Sequence, residues 1–533
     1  MKILAVIPAR AGSKGIPNKN IRLIAGHPMV FYAIRNAKQS REITDVIVTT
    51  DSPVVEIIAR ELDVAVKQRD AVLCGDAVTL DAVVADAIPP ETAWDYIVTM
   101  QPTSPTLRPE TLDKAIQYAV ARDLDTLISV VNAPRLSWGE RDGKKIPNYE
   151  KRLNRQYLPP CYMETGAFVI SKASVVTKRT RIGEKVDVYE IPEDEAQDVD
   201  TFSDLRNAAE ILERPRVAIY VNGNHTLGLG HIYRALELAD EFYTLPEIIY
   251  DSRQTNPAVF GDTTHRLRPA DGVESLLERC RKERYTLFIN DILDTSVEYM
   301  SALRAALPEA RIANFEDDGP GAAMADIVFN ALYTSGRLPN MRTGERYYIP
   351  GKIFLLYSPI RIRETVKRVL ICFGGADPQN YTERLLHIAE KAEYSRFEFT
   401  VVLGRAKKNV RTLMERNSRP NITVMYDASN MAELMSKSDI AVTSRGRTGY
   451  ELALMGVPTI TLAQNEREEK HAFLCRENGV IYLGLNPTDE VIEGNLRILL
   501  FSSQESRLRD HREMLRHDLR NGRKHVMNLI YSL

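Results

Sequence analysis

Apolar positions along the chain fall into two alternating patterns. Strand-like runs (KILAVIP, DVIVTT, DYIVTM, DTLISVV) alternate with stretches of helical spacing (MVFYAIRNAK, PVVEIIARELD, LDAVVADAI, PETLDKAIQYAVARD) through the first part of the sequence. This alternation predicts a mostly parallel sheet wrapped by helices, the α/β class.

The pattern then restarts. After the helical stretch DLRNAAEILERP, Pro215 precedes a fresh strand, RVAIYV, a Gly-containing loop over 222–230 and an amphipathic helix from His231 to about Glu241. Two later strands behave alike: RVLICF begins at Arg368 and runs into GGADPQN, and DIAVTS begins at Asp439 and runs into RGRTGYELALMGVP. Strands that end in a Gly-bearing loop and feed a helix predict further α/β units facing each other. At 533 residues the chain exceeds a single core. The expected division is three α/β domains, 1–213, 214–365 and 366–533, in two functional halves.

Composition narrows the function classes. The net charge of -2 argues against nucleic acid or an anionic membrane as partner and leaves small anionic ligands, bound through local patches. No apolar run approaches the ~18 residues of a membrane span, and no secretory leader is visible, so a cytoplasmic location is expected. Five scattered cysteines without C-x-x-C spacing suggest neither a disulfide framework nor a zinc site.

The densest chemistry lies in residues 5–20, AVIPARAGSKGIPNKN. An apolar strand runs into a loop carrying Arg10, Gly12, Ser13, Lys14, Gly15, Lys19 and Asn20, a mix of pliable backbone and cationic side chains suited to a polyphosphate. The spacing is neither G-x-x-x-x-G-K-[ST] nor G-x-G-x-x-G, which argues against an ATPase and against a dinucleotide site.

This loop resembles the signature of CMP-sialic acid synthetases, and other motifs in the first ~210 residues extend the resemblance. VIVTTDS, MQPTSPTLR, NRQYLPPCYMETGAFVIS and AQDVDTFSDL each have a counterpart in that family, with Thr106 inserted before Leu107 and Thr165 standing where the family has Asn. The resemblance implies a Rossmann-like nucleotidyltransferase domain that transfers CMP from CTP to a nonulosonic acid. Arg10 is then expected at the α-phosphate and Lys19 toward the leaving pyrophosphate; Ala9, Gly12, Ser13, Asn20 and Arg69 would contact the nucleotide, and Gln101, Thr103, Ser104, Arg155 and Tyr162 the sugar acid. Asp198 and Asp200 would hold Mg²⁺, Asp200 as a catalytic residue, because residues i and i+2 of an extended segment share a face. Tyr162 lies in the family's dimer-forming segment, so a homodimer or larger homo-oligomer is expected. Other readings stand beside these: Thr201 and Asp204 have the spacing of a helix N-terminal box, Arg69 and Lys14 could be surface charges, and Gln101 could satisfy loop backbone.

The second half resembles a different family. LGLGHIYRALELADEF fits the signature of the UDP-sugar hydrolase of pseudaminic acid biosynthesis, a relative of GT-B glycosyltransferases, and CFGGADPQN and TSRGRTGYELALMGVPTI fit its later loops. The resemblance implies a two-lobed GT-B-like module in which His231 deprotonates water, Gly230, Gly374, Gly375, Gly446 and Thr448 approach a diphosphate, and Glu451 binds the ribose. Alternatively, His231 is a satisfied structural histidine and Glu451 a solvated helix charge. Arg445, Arg447 and Tyr450 depart from the family's G-S-T-x-W-E loop, and VNGN from its R-x-D pattern; the added arginines suit a diphosphate. Together the resemblances imply a bifunctional enzyme of nonulosonic acid biosynthesis, of the pseudaminic or legionaminic kind, using CTP, a sugar acid and a UDP-acetamido-deoxyhexose. The alternatives are a glycosyltransferase or a silent nucleotide-sugar binding module in the second half, and an eight-carbon keto acid as substrate of the first.

Overall fold

The computed structural model describes residues 1–12, 15–75, 77–223, 229–333, 338–405, 407–428 and 430–533. The chain forms two compact units, Met1–Arg214 and Pro215–Leu533. No helix among the described residues is long and apolar enough to cross a membrane.

The first unit is built on strands β1 (Ile3–Pro8), β2 (Asp45–Thr50), β3 (Ala65–Gln68), β4 (Tyr96–Met100), β5 (Thr126–Asn132), β6 (Tyr162–Lys172) and β7 (Val186–Glu190), in the order β7-β5-β6-β4-β1-β2-β3. Only β6 runs antiparallel to its neighbours. The central strands are apolar on both faces, as a sheet covered on both sides requires; Ile3, Leu4, Ala5, Val6 and Ile7 are all buried. Helix α1 (Phe202–Glu213) closes the unit, and its first turn realises the N-terminal box anticipated from the sequence: Thr201 and Asp204 cap each other's backbone.

The second unit holds two parallel sheets, one per lobe. Strands β8 (Val217–Val221), β9 (Glu247–Asp251), β10 (Arg266–Ala270), β11 (Leu287–Asp291), β12 (Arg311–Phe315), β13 (Ile327–Asn330) and β14 (Met341–Thr343) order as β10-β9-β8-β11-β12-β13-β14. Strands β15 (Arg368–Cys372), β16 (Glu398–Leu403), β17 (Ile422–Tyr426), β18 (Ile440–Ser444), β19 (Thr459–Ala463) and β20 (Val480–Leu485) order as β17-β16-β15-β18-β19-β20. This is the two-lobed, GT-B-like arrangement expected for the second half. The last helix of the chain, which leaves the second lobe, packs Val526, Met527 and Ile530 into the core of the first.

All three sheets share one topological feature. The first strand lies between the second and the fourth, so the winding direction reverses there and the connecting loops diverge, leaving a crevice at the carboxyl ends of those two strands. The crevices open between β1 and β4, between β8 and β11, and between β15 and β18. Arg10, Lys19, Gln101 and Asp200 lie at the first of these crevices and His231 at the second.

Candidate functional site

In the first unit the loop after β1 faces the loop after β4. Arg10, Gly15, Lys19, Asn20, Arg69, Gln101, Thr103 and Asp200 line one cavity of about 550 Å³, with Pro8, Leu73, Gly75, Val78, Leu80, Val83 and Pro102 completing its wall. The loop is pinned through its backbone: Ala9 donates its N–H to Thr49 O at 3.0 Å, Ala11 donates to Asp51 Oδ1 at 2.6 Å, and Asn20 Nδ2 donates to Arg10 O at 3.0 Å. Arg10 Nη1 donates to Cys74 O at 3.5 Å. Gly12 sits at the turn of this loop, while Ser13 and Lys14 lie outside the described residues.

Arg69 is no surface residue. It is buried, and its Nη2 donates to Thr49 O at 2.8 Å; burial lowers the pKa of its guanidinium, with Asp51 opposing. A buried cation with one carbonyl partner at a cavity wall is equipped to bind an anion.

The segment before α1 alternates as an extended chain should. Val199 points into the core, fixed by its N–H to Thr103 O at 2.8 Å, while Asp198 and Asp200 flank it. Lys19 Nζ reaches both Val199 O and Asp200 Oδ1 at 3.0 Å, tying the phosphate-type loop to the segment before α1. Burial raises the Asp198 carboxyl above its usual range, with a hydrogen bond to Thr103 opposing, and its Oδ1 is enclosed without a hydrogen-bond partner. Gly15 closes the arrangement: a Cβ there would stand 2.8 Å from Asp200 O. Gly15→Ala is therefore expected to push the loop off Asp200 and lower kcat/KM for nucleotide transfer by on the order of 10- to 100-fold with little change in Tm, read by pyrophosphate release.

The remaining sugar-acid candidates separate. Ser104 is buried and donates to Thr165 O at 3.4 Å, and Thr165 spends its own hydroxyl on Ser129 Oγ at 2.9 Å. Tyr162 is half-exposed at the start of β6, and Arg155 is exposed and pairs with Glu193 at 3.9 Å; neither is part of the cavity wall.

In the second unit His231 lies on helix α2 (Gly230–Ala239), at the crevice between β8 and β11. The ring is buried, and its Nδ1 meets Asp291 Oδ1 at the end of β11. Arg234, one helical turn on, forks onto the same carboxylate, Nε to Oδ2 at 2.7 Å and Nη2 to Oδ1 at 2.5 Å, and its Nη1 bonds Glu316 just past β12. Burial works against the charges on Asp291 and Glu316, yet Arg234 and His231 hold Asp291 well below the usual carboxylate range and Glu316 at about 2. Neither acid was singled out in the sequence. The available signal was an acid at or just past the end of an apolar strand, in LFIND and RIANFE.

Across the lobes, helix α3 (Arg447–Met455) begins at Gly446, with Thr448 in its first turn. Gly230 and Arg447 meet so closely that a Cβ on Gly230 would stand 2.8 Å from Arg447 Cδ, which places the start of α2 against the start of α3. Gly374 and Gly375 follow β15, and Ser444 Oγ lies 4.0 Å from a Cβ position on Gly374 and 3.4 Å from one on Gly446. Gly230 thus faces the start of α3 across the lobes, and Ser444 stands between Gly374 and Gly446 within the second lobe.

The family departures acquire structural roles. Arg445 is buried, stacks 3.6 Å from the Tyr482 ring centroid and donates to Leu474 O and Glu469 O at 3.2 and 2.9 Å. Arg447 Nη2 donates to Ile349 O at 2.8 Å, and Tyr450 stacks on Tyr348 with ring centroids 4.8 Å apart. Arg445 therefore serves its own lobe.

Glu451 has no hydrogen-bond partner among the described residues, and burial pushes its carboxyl up to about 7, with Arg447 opposing; burial does the same to Glu468. A folded-state pKa raised above the unfolded value of 4.5 means stability is fully present below about 4.5 and is lost as pH rises through about 7. The thermal transition of the second unit is expected to fall between pH 5 and 8 by an amount equivalent to about 1–3 kcal/mol, and Glu451→Gln to flatten that slope. Burial lowers the pKa of His471, which works in the opposite sense as pH rises through 6.5. A melting curve that rises steadily with pH in the wild type would contradict the expectation.

Comparison with known proteins finds relatives of both halves of the chain. Residues 4–225 match the cytidylyltransferase family model. The chain is similar to the N-acylneuraminate cytidylyltransferase of Streptococcus agalactiae serotype III, 31% identical over 214 residues that cover 38% of this chain and 52% of that one. The chain thus spans about half the length of the curated cytidylyltransferases of this kind that it matches. It is also similar to the spore coat polysaccharide biosynthesis protein SpsG of Bacillus subtilis, 24% identical over 314 residues that cover 56% of this chain and 92% of that one. Among solved structures, Acinetobacter baumannii MurG aligns with a TM-score of 0.45 at 14% identity, covering 60% of this chain and 100% of that one.

Proposed function

We propose that the first unit transfers CMP from CTP to a nine-carbon 2-keto sugar acid. The observation that carries this reading is the single cavity whose wall combines Arg10, Lys19, Arg69 and Asp200 with the amide of Gln101. Its support is the similarity to an N-acylneuraminate cytidylyltransferase. In the reaction the anomeric hydroxyl oxygen attacks the α-phosphorus and gives up its proton to solvent, the bond from that phosphorus to the bridging oxygen breaks, and pyrophosphate leaves with the electron pair. Arg10 and Arg69 would bind phosphate oxygens, Lys19 would stabilise the leaving group, and Gln101 and Thr103 would orient the sugar acid.

Asp198 and Asp200 suit Mg²⁺ on their donor chemistry. The two carboxylates flank a core-anchored residue: Asp200 stands in the cavity wall, and Asp198 has an enclosed oxygen lacking a hydrogen-bond partner. Substrate phosphates would complete such a shell. When bound, the ion would neutralise charge developing on the phosphates.

For the second unit we propose hydrolysis of a UDP-acetamido-deoxyhexose. His231 would take a proton from water, the water oxygen would bond to the anomeric carbon, and the bond from that carbon to the diphosphate oxygen would break, releasing UDP. Gly230, Gly374, Gly375, Gly446 and Thr448 would approach the diphosphate, and Glu451 the ribose hydroxyls. A second copy of the chain, meeting the first through the Tyr162 segment, belongs to the reading of the first unit, and sedimentation of the intact chain tests it.

Pyrophosphate release from CTP with a panel of eight- and nine-carbon keto acids, with and without Mg²⁺, tests the first activity. Turnover confined to an eight-carbon acid would overturn the nine-carbon assignment. Mass spectrometry tests the second: free hexose with UDP supports hydrolysis, and sugar appearing on an acceptor supports transfer instead.

A further inference from the structure

We infer that Asp291 is a positioning residue that holds His231 in the tautomer protonated on Nδ1, so that Nε2 is the atom that accepts the proton of water, and that Arg234 and Glu316 hold Asp291 in place. The inference rests on the hydrolytic reading of the second unit for its kinetic consequence, but its geometry stands alone.

Three observations carry it. First, both oxygens of Asp291 are engaged by the Arg234 fork. A guanidinium only donates, so Asp291 is held as an ionised acceptor, and a ring nitrogen that bonds it must bring the hydrogen. Arg234 Nη2 lies 3.1 Å from His231 Nδ1, but both groups are donors converging on one oxygen, and no bond between them is implied. Second, the network is buried. Asp291 is 0% exposed and the Arg234 side chain 4%, so the network is not averaged by solvent. Third, its charges do not cancel while the ring is neutral. Two carboxylates face one guanidinium, leaving one negative charge that a proton gained by His231 would neutralise.

A histidine that was only a core residue would need none of this. The network spans three elements, with the ring on α2, Asp291 at the end of β11 and Glu316 just past β12, and Arg467 of the other lobe braces its rim through Glu316 O at 2.7 Å. It brings a base to the crevice where a ligand belongs and fixes which of its nitrogens faces away from the acid.

The test uses the full chain with ¹⁵N-labelled histidine. The His231 signal, identified by its loss in His231→Gln, is expected to show Nδ1 protonated and Nε2 bare; a ring protonated on Nε2 alone would overturn the proposal. Asp291→Asn is expected to lower kcat for UDP release from a UDP-diacetamido-hexose by ~10²–10⁴-fold while KM moves less than ~3-fold. A kcat within ~3-fold of wild type would also overturn it. Glu316→Gln, which keeps volume and one acceptor, is expected to lower kcat by ~10-fold and serves if Asp291→Asn does not fold; an unchanged kcat there would count against the supporting role of Glu316. Absence of turnover by the wild type with every such sugar would sink the hydrolytic reading and leave the tautomer to be judged by the ring signals.

Discussion

Lys19→Met is expected to lower CMP transfer by ~10²–10³-fold while leaving UDP release by the second unit unchanged. The size follows from what Lys19 touches. Its Nζ contacts Asp200 Oδ1 and Val199 O, and its side chain is only 15% exposed at the wall of the nucleotide-sized cavity. Removing it takes away a lysine that bridges the loop after β1 and the segment of Val199 and Asp200. The fold should survive, because Asp200 is 71% exposed and a pair of that kind contributes little to stability. Pyrophosphate release with CTP and a nine-carbon acid, beside an unfolding curve, reads both quantities. A variant with wild-type kcat would remove Lys19 from the chemistry and weaken the whole assignment of the cavity.

The converse result is expected for His231→Ala: UDP release falls by ~10²–10⁴-fold and CMP transfer is untouched. Asp291 keeps its two bonds to Arg234 when the ring is gone, so the variant leaves no more charge unpaired than the neutral ring does and the unit should remain folded. Release of UDP is followed by coupled assay, and binding of UDP by calorimetry. Loss of turnover with binding retained places His231 in the chemical step, whereas loss of binding would make it a structural residue. The pair of variants separates the two activities within a single chain.

Much of this was legible in the sequence because it is encoded locally. Strand-loop-helix units declare themselves through apolar runs followed by helical spacing, and the phosphate-type loop is contiguous, so Arg10, Lys19 and Asn20 could be named together. Asp198 and Asp200 could be paired because an extended segment alternates, and the structure shows Val199 between them turned into the core. The same segment also realises its plainer reading, since Thr201 and Asp204 cap α1 directly after Asp200. The two readings are compatible because the cap uses Thr201 and Asp204 and leaves the Asp200 side chain to the cavity.

Non-local partners were not legible. His231 meets Asp291 across 60 residues and Arg234 meets Glu316 across 82. Neither separation has a sequence signature, because which strand ends become neighbours depends on sheet order, and periodicity within a strand is silent about order. Ser444 between two Gly-bearing loops was missed for the same reason. Arg445 shows the converse: its charge suggested a diphosphate, yet it is committed to two carbonyls and a tyrosine ring. Residue type announced a capacity, and packing spent it elsewhere.

By itself, then, the sequence determined the α/β class, the restart of the pattern after Pro215 and the polar loops that follow the strands, since each depends on spacing within a few turns of chain. Only the tertiary structure decided which loops share a crevice, which acids face His231 and that the last helix returns to the first lobe. Those outcomes follow from the reversal of strand order and from burial of apolar faces between distant segments, both properties of the assembled core.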